Sequence, residues 1–236
     1  MPASRPSQDF ILALRKLARP ADKPDVARFF HQDSIKKRPT QMLGVTFGKI
    51  FALAKRFADM PLADIGRLLD SAYYEVRMGA VSIMDFQARS KRTSSEQRKA
   101  LFDLYLRRHD RIDNWDLVDR AAPHVVGGYL VDRPRDVLYR LARSQSPWER
   151  RTAIVSTCFF IRQGDLDDTF KVAEVLIHDP HELVQKAVGS WIREAGKKDE
   201  KRLLRFLDQH ASTMPRVMLR YAVEKLAPKV KARYMA

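Results

Sequence analysis

The chain has 236 residues, of which 45% are hydrophobic, enough for a sizeable core and too many for general disorder. Lys and Arg number 44 against 29 Asp and Glu, so the formal charge is +15. A surplus of this size indicates a polyanionic partner such as DNA, RNA or an anionic membrane surface; the plainer alternative is a solubilising surface.

Two further absences narrow the class of protein. No run of about 18 apolar residues is present, which argues against a transmembrane helix and a membrane partner. Residues 1–9 are polar and lack the apolar stretch of a signal peptide. We therefore expect a soluble, cytoplasmic protein.

Helical spacing of apolar residues recurs along the chain from its first segments, after an expected flexible tail at residues 1–8. Examples are Ile11, Leu14 and Leu17, and later Leu101, Leu104 and Tyr105. Sustained alternation of apolar and polar residues is absent, and glycine occurs only nine times. The sequence predicts an all-α protein.

Proline and helix-capping residues interrupt this pattern at fairly regular intervals. The breaks fall at residues 58–61, 92–95, 132–134, 146–147, 163–165, 178–180 and 214–215. The segments between them are about 12 to 20 residues long, which is typical of stacked helical hairpins.

A weak internal repeat supports this organisation. Ala153-Ile154, Ala187-Val188 and Ala222-Val223 are spaced by 34 and then 35 residues, and Ala80-Val81 lies 73 residues before the first of them. A period in this range with two helices per unit predicts an α-solenoid of stacked antiparallel helix pairs. No tetratricopeptide pattern is visible, which favours HEAT-like repeats in a single domain over residues 1–236. The alternative is an irregular helical bundle.

A solenoid has a concave surface, lined by its inner helices, that suits an elongated partner. Basic residues flank several candidate inner helices: Arg77, Arg150, Arg151, Lys186, Arg193, Arg216 and Arg220. We expect a basic concave face that binds the DNA backbone with salt-sensitive affinity. The plainer interpretation is that most of these side chains are ordinary solvated positions.

Several kinds of site find no support in the sequence. Neither a phosphate-binding G-x-x-x-x-G-K-[ST] loop nor a G-x-G-x-x-G turn is present. The six His and the lone Cys158 show no metal-ligand spacing, so we expect no metal and no cofactor. His124 is interpreted as structural or as a phosphate contact, and Cys158 as a small buried core residue.

The most informative residues are Trp115 and Asp119. Residues four apart on a helix share a face, so these two would place an apolar wall beside a negative charge within a basic chain. The plainer account makes Asp113 the N-cap, Asp116 its partner at the third helical position and Trp115 a core residue. That account leaves Asp119 unexplained.

Four segments of the chain resemble the AlkD-type DNA alkylation repair family. They are residues 111–119 (RIDNWDLVD) with 122–127 (APHVVG), residues 148–154 (WERRTAI), residues 185–189 (QKAVG) with Arg193-Glu194, and residues 43–45 with 53–55. The resemblance spans nearly the whole chain. Members of this family are HEAT-like solenoid DNA glycosylases that remove cationic alkylated purines such as 3-methyladenine and 7-methylguanine.

The resemblance assigns roles to individual residues. It implies that Asp119 is the catalytic carboxylate and that Trp115 and Arg151 line the lesion cleft. An N-terminal cleft aromatic corresponds to Phe29 or Phe30, of which we take Phe30. Ser190 stands where the family has a second cleft tryptophan, and Trp191 follows it, about 100° further around a helix.

The implied reaction explains why one carboxylate could suffice. Glycoside hydrolysis ordinarily uses two carboxyl groups, one of which protonates the leaving group. An alkylated purine is already a cation and leaves as a neutral base, so the protein has only to stabilise the oxocarbenium-like sugar and orient a water.

The resemblance therefore implies a monofunctional hydrolase that acts, as a monomer, on double-stranded DNA containing alkylated bases and is nucleoid-associated when bound. No lysine lies next to Trp115 and Asp119 in the sequence, so a Schiff-base lyase is not expected. Two alternatives stay open: a HEAT-like DNA-binding module without glycosylase activity, which Ser190 favours, and a protein-interaction scaffold.

Overall fold

The computed structural model describes residues 6–19 and 40–236. Within these two ranges the regular structure is helical, apart from an isolated parallel bridge between Gln41 and Tyr73. The predicted all-α class is confirmed. Among the helices so described, none combines the length and apolar character needed to cross a membrane.

The chain divides into two compact units, Met1–Val125 and Val126–Ala236. The helices of the first unit are α1 (Pro6–Lys16), α2 (Phe47–Arg56), α3 (Leu62–Leu69), α4 (Tyr74–Arg89), α5 (Ser95–Arg107) and α6 (Trp115–Ala122). A 3₁₀ turn (His109–Arg111) precedes α6, and a π-helical turn (Pro123–Gly127) follows it.

The helices of the second unit are α7 (Gly128–Leu130), α8 (Asp136–Ala142), α9 (Pro147–Ser156), α10 (Cys158–Arg162), α11 (Asp167–Val175), α12 (Glu182–Gly196), α13 (Glu200–His210), α14 (Arg216–Ala222) and α15 (Pro228–Met235).

Helix α4 is the core of the first unit, since it packs against α2, α3 and α6 and buries most of its length. At Gly79 the ring of Phe10 from α1 lies so close that a Cβ would sit 2.3 Å from its Cζ. The backbone N–H and the hydroxyl of Ser7 donate to Asp64 of α3, the latter at 2.5 Å. These contacts fix α1 against α3 and α4.

The second unit shows the packing that the sequence repeat predicts. Helices α9, α12 and α14, which carry the buried Ala153, Ala187 and Ala222, pack one against the next. Gly189 permits the closest approach, because a Cβ there would lie 2.3 Å from the carbonyl oxygen of Met218 in α14. Packing of each repeat on its neighbour is what an α-solenoid requires.

Most predicted breaks coincide with observed helix starts. Helix α9 begins at Pro147 after Ser146, and Pro61 and Pro215 directly precede α3 and α14. Ser94 forms a capping box with Gln97 at the start of α5. The expected single domain over residues 1–236 and the basic concave face remain predictions.

Candidate active site

Helix α6 carries both residues of the predicted pair. Trp115 is its first residue and is 36% exposed, which is unusual for so large an apolar side chain. Asp119 is half-buried one turn further along the helix. Leu117 and Ala121 are buried on the opposite side, so the helix presents the indole and the carboxylate away from its packed face.

The plainer account of this segment is wrong. Asn114, not Asp113, occupies the N-cap, and Trp115 is exposed instead of lying in the core. Asp113 instead accepts a hydrogen bond of 3.0 Å from Nη2 of Arg77. Asp116 is the second helical residue, and its carboxylate is buried.

Asp116 has a specific partner in α4. The buried hydroxyl of Tyr74 donates a short hydrogen bond to its Oδ2, and the backbone N–H of Leu117 donates to Oδ1 at 2.9 Å. Burial raises the pKa of Asp116 to about 6, even though these hydrogen bonds act in the opposite direction, and the negative charge of Asp119 adds to the rise. Burial and the neighbouring carboxylate also raise the pKa of Tyr74 above its ordinary range.

The last turn of α6 is attached to α4 by a second polar contact. Nη1 of Arg120 lies 2.8 Å from Oδ2 of the buried Asp85, and Nε donates to the hydroxyl of Ser82 at 3.1 Å. The guanidinium also lies over the ring of Phe51, 4.7 Å from its centroid. Nδ1 of His124 lies 2.9 Å from Asp85, so this histidine has a structural contact.

Sequence reasoning missed an aromatic residue near this site. Phe47, the first residue of α2, is 37% exposed, stacks on Phe51 with 5.9 Å between centroids, and lies 6.5 Å from Tyr74. Phe47 follows the family-like residues 43–45, but nothing in the local pattern shows its exposure. The predicted cleft aromatic Phe30 lies outside the described residues.

In the second unit, the W-E-R-R segment connects the start of α9 to the start of α12. Arg151 is buried and donates to the carbonyl oxygen of Leu183. Arg150 donates to both carboxylate oxygens of the buried Asp179, at 2.5 and 3.1 Å. Trp148 packs edge-on against His181.

The six residues predicted to bind the DNA backbone differ in their surroundings. Arg77 is 1% exposed and also donates to the carbonyl of Ser71, so its guanidinium is used inside the protein. Arg193 pairs with Glu194 and Glu224. Lys186 is partly exposed and contacts Glu182 on its own helix, while Arg216 and Arg220 are exposed.

Trp191 and Ser190, in the second half of α12, line a cavity of the second unit together with Cys158. Cys158 is buried, as predicted. The residues that line this cavity belong to α10, to α12 and to the two positions just after α12.

The fold and the site define an all-α protein of high positive charge that displays an indole and a carboxylate on one helix. The family model described as DNA alkylation repair enzyme matches residues 10–226, and the chain belongs to this family. A role in alkylation repair, with DNA as partner, follows from that membership.

A solved structure has a similar fold. It is described as a predicted DNA alkylation repair enzyme from Enterococcus faecalis, and it superposes with a TM-score of 0.63 at 16% identity. The match covers 84% of this chain and 97% of that one. No curated protein matches the chain in sequence.

Proposed function

We propose that the protein is a monofunctional DNA glycosylase that hydrolyses the N-glycosidic bond of cationic alkylated purines in double-stranded DNA. The observation that carries this proposal is the pairing of an exposed Trp115 with the half-buried carboxylate of Asp119 on α6, in a member of the alkylation repair family.

The chemistry needs only one carboxylate. As the bond between C1′ and the purine nitrogen breaks, its electron pair neutralises the charged base, which departs without a proton from the protein. Positive charge develops on the deoxyribose, where Asp119 would stabilise it. A water oriented by the same carboxylate then adds to C1′ and gives up one proton to Asp119 or to solvent. The face of Trp115 would exclude bulk water and favour the cationic sugar.

The surroundings of α6 suit this role, because a catalytic group must be held in place before the reaction begins. The Tyr74–Asp116 hydrogen bond holds the first turn, and the Arg120–Asp85 ion pair holds the last. Asp119 lies between these two attachments to α4.

The remaining cleft contacts come from the family resemblance, and the backbone contacts come from the positions of basic residues beside the candidate inner helices. We assign Arg151, Trp191 and Phe30 to the lesion cleft, and Lys186, Arg193, Arg216 and Arg220 to the DNA backbone. The accessible members of the second set, Lys186, Arg216 and Arg220, support the assignment most directly. Arg77 and Arg150, the other two residues predicted to bind the backbone, hold internal ion pairs, so we assign both to the stability of the fold.

The test is release of bases from methylated duplex DNA by the native chain and by Asp119→Asn. We expect the substitution to reduce release by about 10²- to 10³-fold, the loss seen when one electrostatic stabiliser of a transition state is removed. DNA affinity should be retained. Asp110→Asn is the matched control, since this exposed carboxylate lies outside α6 and its loss should leave release unchanged.

A second candidate function is a DNA-binding module of the same family without glycosylase activity, which Ser190 favours because it replaces a cleft tryptophan. The same assay separates the two. Tight DNA binding with no release by the native chain would establish the second candidate, and release that survives Asp119→Asn would remove Asp119 from the mechanism.

A further inference from the structure

The cavity beside Trp191 has the size of a ligand site. Its volume is about 520 Å³, inside the range of about 300–1,000 Å³ that is usual for small-molecule pockets. Cys158 and Ile161 supply buried apolar surface, and the half-buried indole of Trp191 forms an aromatic wall. Such surfaces favour a flat, apolar group.

The charges around the same cavity favour an anion. Four basic residues line it, namely Arg162, Arg193, Lys197 and Lys198, against the single acid Glu194. Glu194 is already neutralised from both sides, since Nζ of Lys197 donates to its carboxylate at 2.7 and 2.8 Å and Arg193 donates at 3.2 and 3.3 Å. Arg162 and Lys198 are exposed at the rim. Arg193 also pairs with Glu224, so four basic residues stand against two acids and the formal charge around the cavity is still positive.

We propose that this cavity binds one unpaired nucleotide, with the base against Trp191 and the phosphate at Arg162 and Lys198. A purely apolar ligand would gain nothing from the basic rim, and a bare phosphate would gain nothing from the apolar walls. A nucleotide uses both, and stacking of a base on an aromatic side chain tolerates any base sequence. The small side chain of Ser190 contributes to the wall without filling the space.

The nucleotide could come from two sources: an unpaired residue within a DNA strand, or a free mononucleotide. Trp191 and Arg193 also belong to the DNA contacts proposed above, but neither Asp119 nor Trp115 lines the cavity, so base release and binding of an unpaired nucleotide can be measured separately. A negative result for nucleotide binding would leave the proposed glycosylase activity unaffected. A negative result for base release would likewise leave the nucleotide site unaffected.

The test measures the affinity of the full chain for three dye-labelled DNAs of equal length: a single strand, a duplex with a one-nucleotide bulge and a fully paired duplex. Trp191→Leu should weaken binding of the first two by about tenfold, because one base–aromatic stack is lost, and should change binding of the paired duplex by less than about twofold. Trp191→Phe should restore most of the loss.

Lys198→Gln should weaken the same two probes several-fold, whereas Lys171→Gln is the matched control. Lys171 is an exposed lysine of the same unit that lines a different cavity, so its loss removes one charge without touching this one. Competition by deoxyadenosine monophosphate would identify the free nucleotide as a source, and preference for unpaired strands without such competition would identify the DNA strand.

Equal weakening of all three DNAs by Trp191→Leu, or no weakening of any, would overturn the proposal. The control is the thermal unfolding midpoint of each variant. A midpoint equal to that of the native chain shows that a change in affinity comes from binding and not from folding.

Discussion

Two carboxylates of α6, three residues apart, lie in different environments. Asp119 is half-buried on the face that also carries the exposed Trp115, whereas Asp116 is buried against Tyr74. A buried carboxylate close to a proposed catalytic one adds to the local negative potential only while it is ionised. Its protonation state therefore affects both the stability of the first turn of α6 and the field at Asp119.

Asp116 makes the stability of the protein depend on pH in a predictable direction. Its pKa rises from 3.8 to about 6 on folding, so between these values the folded protein holds a proton that the unfolded chain has released. This residue's contribution to the free energy of unfolding therefore falls as pH rises from about 4 to 6. Asp116→Asn should remove that fall. Relative to the native chain, the variant's free energy of unfolding should be higher at pH 7 than at pH 4.5 by about 2 kcal/mol.

Urea unfolding of both proteins at the two pH values measures this difference. Tyr74→Phe is the companion variant: it removes a hydrogen bond that lowers the pKa of Asp116, so the upper end of the pH window should move to higher pH. Identical pH dependence in the native chain and in Asp116→Asn would contradict this account.

At the residue scale, spacing alone predicted what lies on a single helix. Trp115 and Asp119 are on one turn of α6 because the helical period requires it. The partner of Asp116 could not be predicted in the same way, because Tyr74 is 42 residues away and the contact depends on how α4 packs against α6. The same holds for Asp85, whose partner Arg120 belongs to another helix.

At the scale of elements, close packing of α12 on α14 depends on one glycine. Gly189→Ala would place a methyl group 2.3 Å from the carbonyl oxygen of Met218 and 2.7 Å from Cβ of Tyr221, neither of which is the end of a flexible side chain. We expect a loss of about 1–3 kcal/mol in the free energy of unfolding, the usual cost of overpacking a core.

The control for this substitution is Gly48→Ala in α2, where a Cβ would meet nothing within 4 Å. A helical glycine replaced by alanine without a clash should be neutral or stabilising, by up to about 1 kcal/mol. Denaturant unfolding of the two variants gives both values, and a harmless Gly189→Ala would show that the two helices can separate at no cost.

The order of elements was largely predictable, because proline and capping residues act locally. Ser146-Pro147 and Ser94 mark helix starts by their own chemistry. The π-helical turn after α6 was not predictable in this way. Gly127 lies within it and would place a Cβ 2.2 Å from the carbonyl oxygen of Ser156, a contact that only the folded unit creates.

At the scale of the whole molecule, the formal charge of +15 should make DNA affinity fall steeply with salt. Lys186→Ala and Arg220→Ala should each reduce the slope of log affinity against log salt by about one, the effect of losing one phosphate contact. Titrations of a labelled duplex at several salt concentrations measure this slope.

Arg150→Ala should behave differently, because its guanidinium holds the buried carboxylate of Asp179. Removing one partner of such a pair costs about 3–5 kcal/mol of stability, so this variant should lose stability while its salt slope stays close to the native value. If Arg150→Ala lowers the slope and leaves stability unchanged, the residue contacts phosphate and its ion pair is dispensable.

The chain's single cysteine offers one site in the second unit that a thiol reagent can label. Cys158 begins α10, is 4% exposed and lines the cavity beside Trp191. A side chain buried to this extent reacts slowly with a thiol reagent, and transient opening of the surrounding helices speeds the reaction. The rate at which this one thiol is labelled therefore reports the local stability of the packing around α10, without any engineered probe, and an occupant of the cavity would slow it.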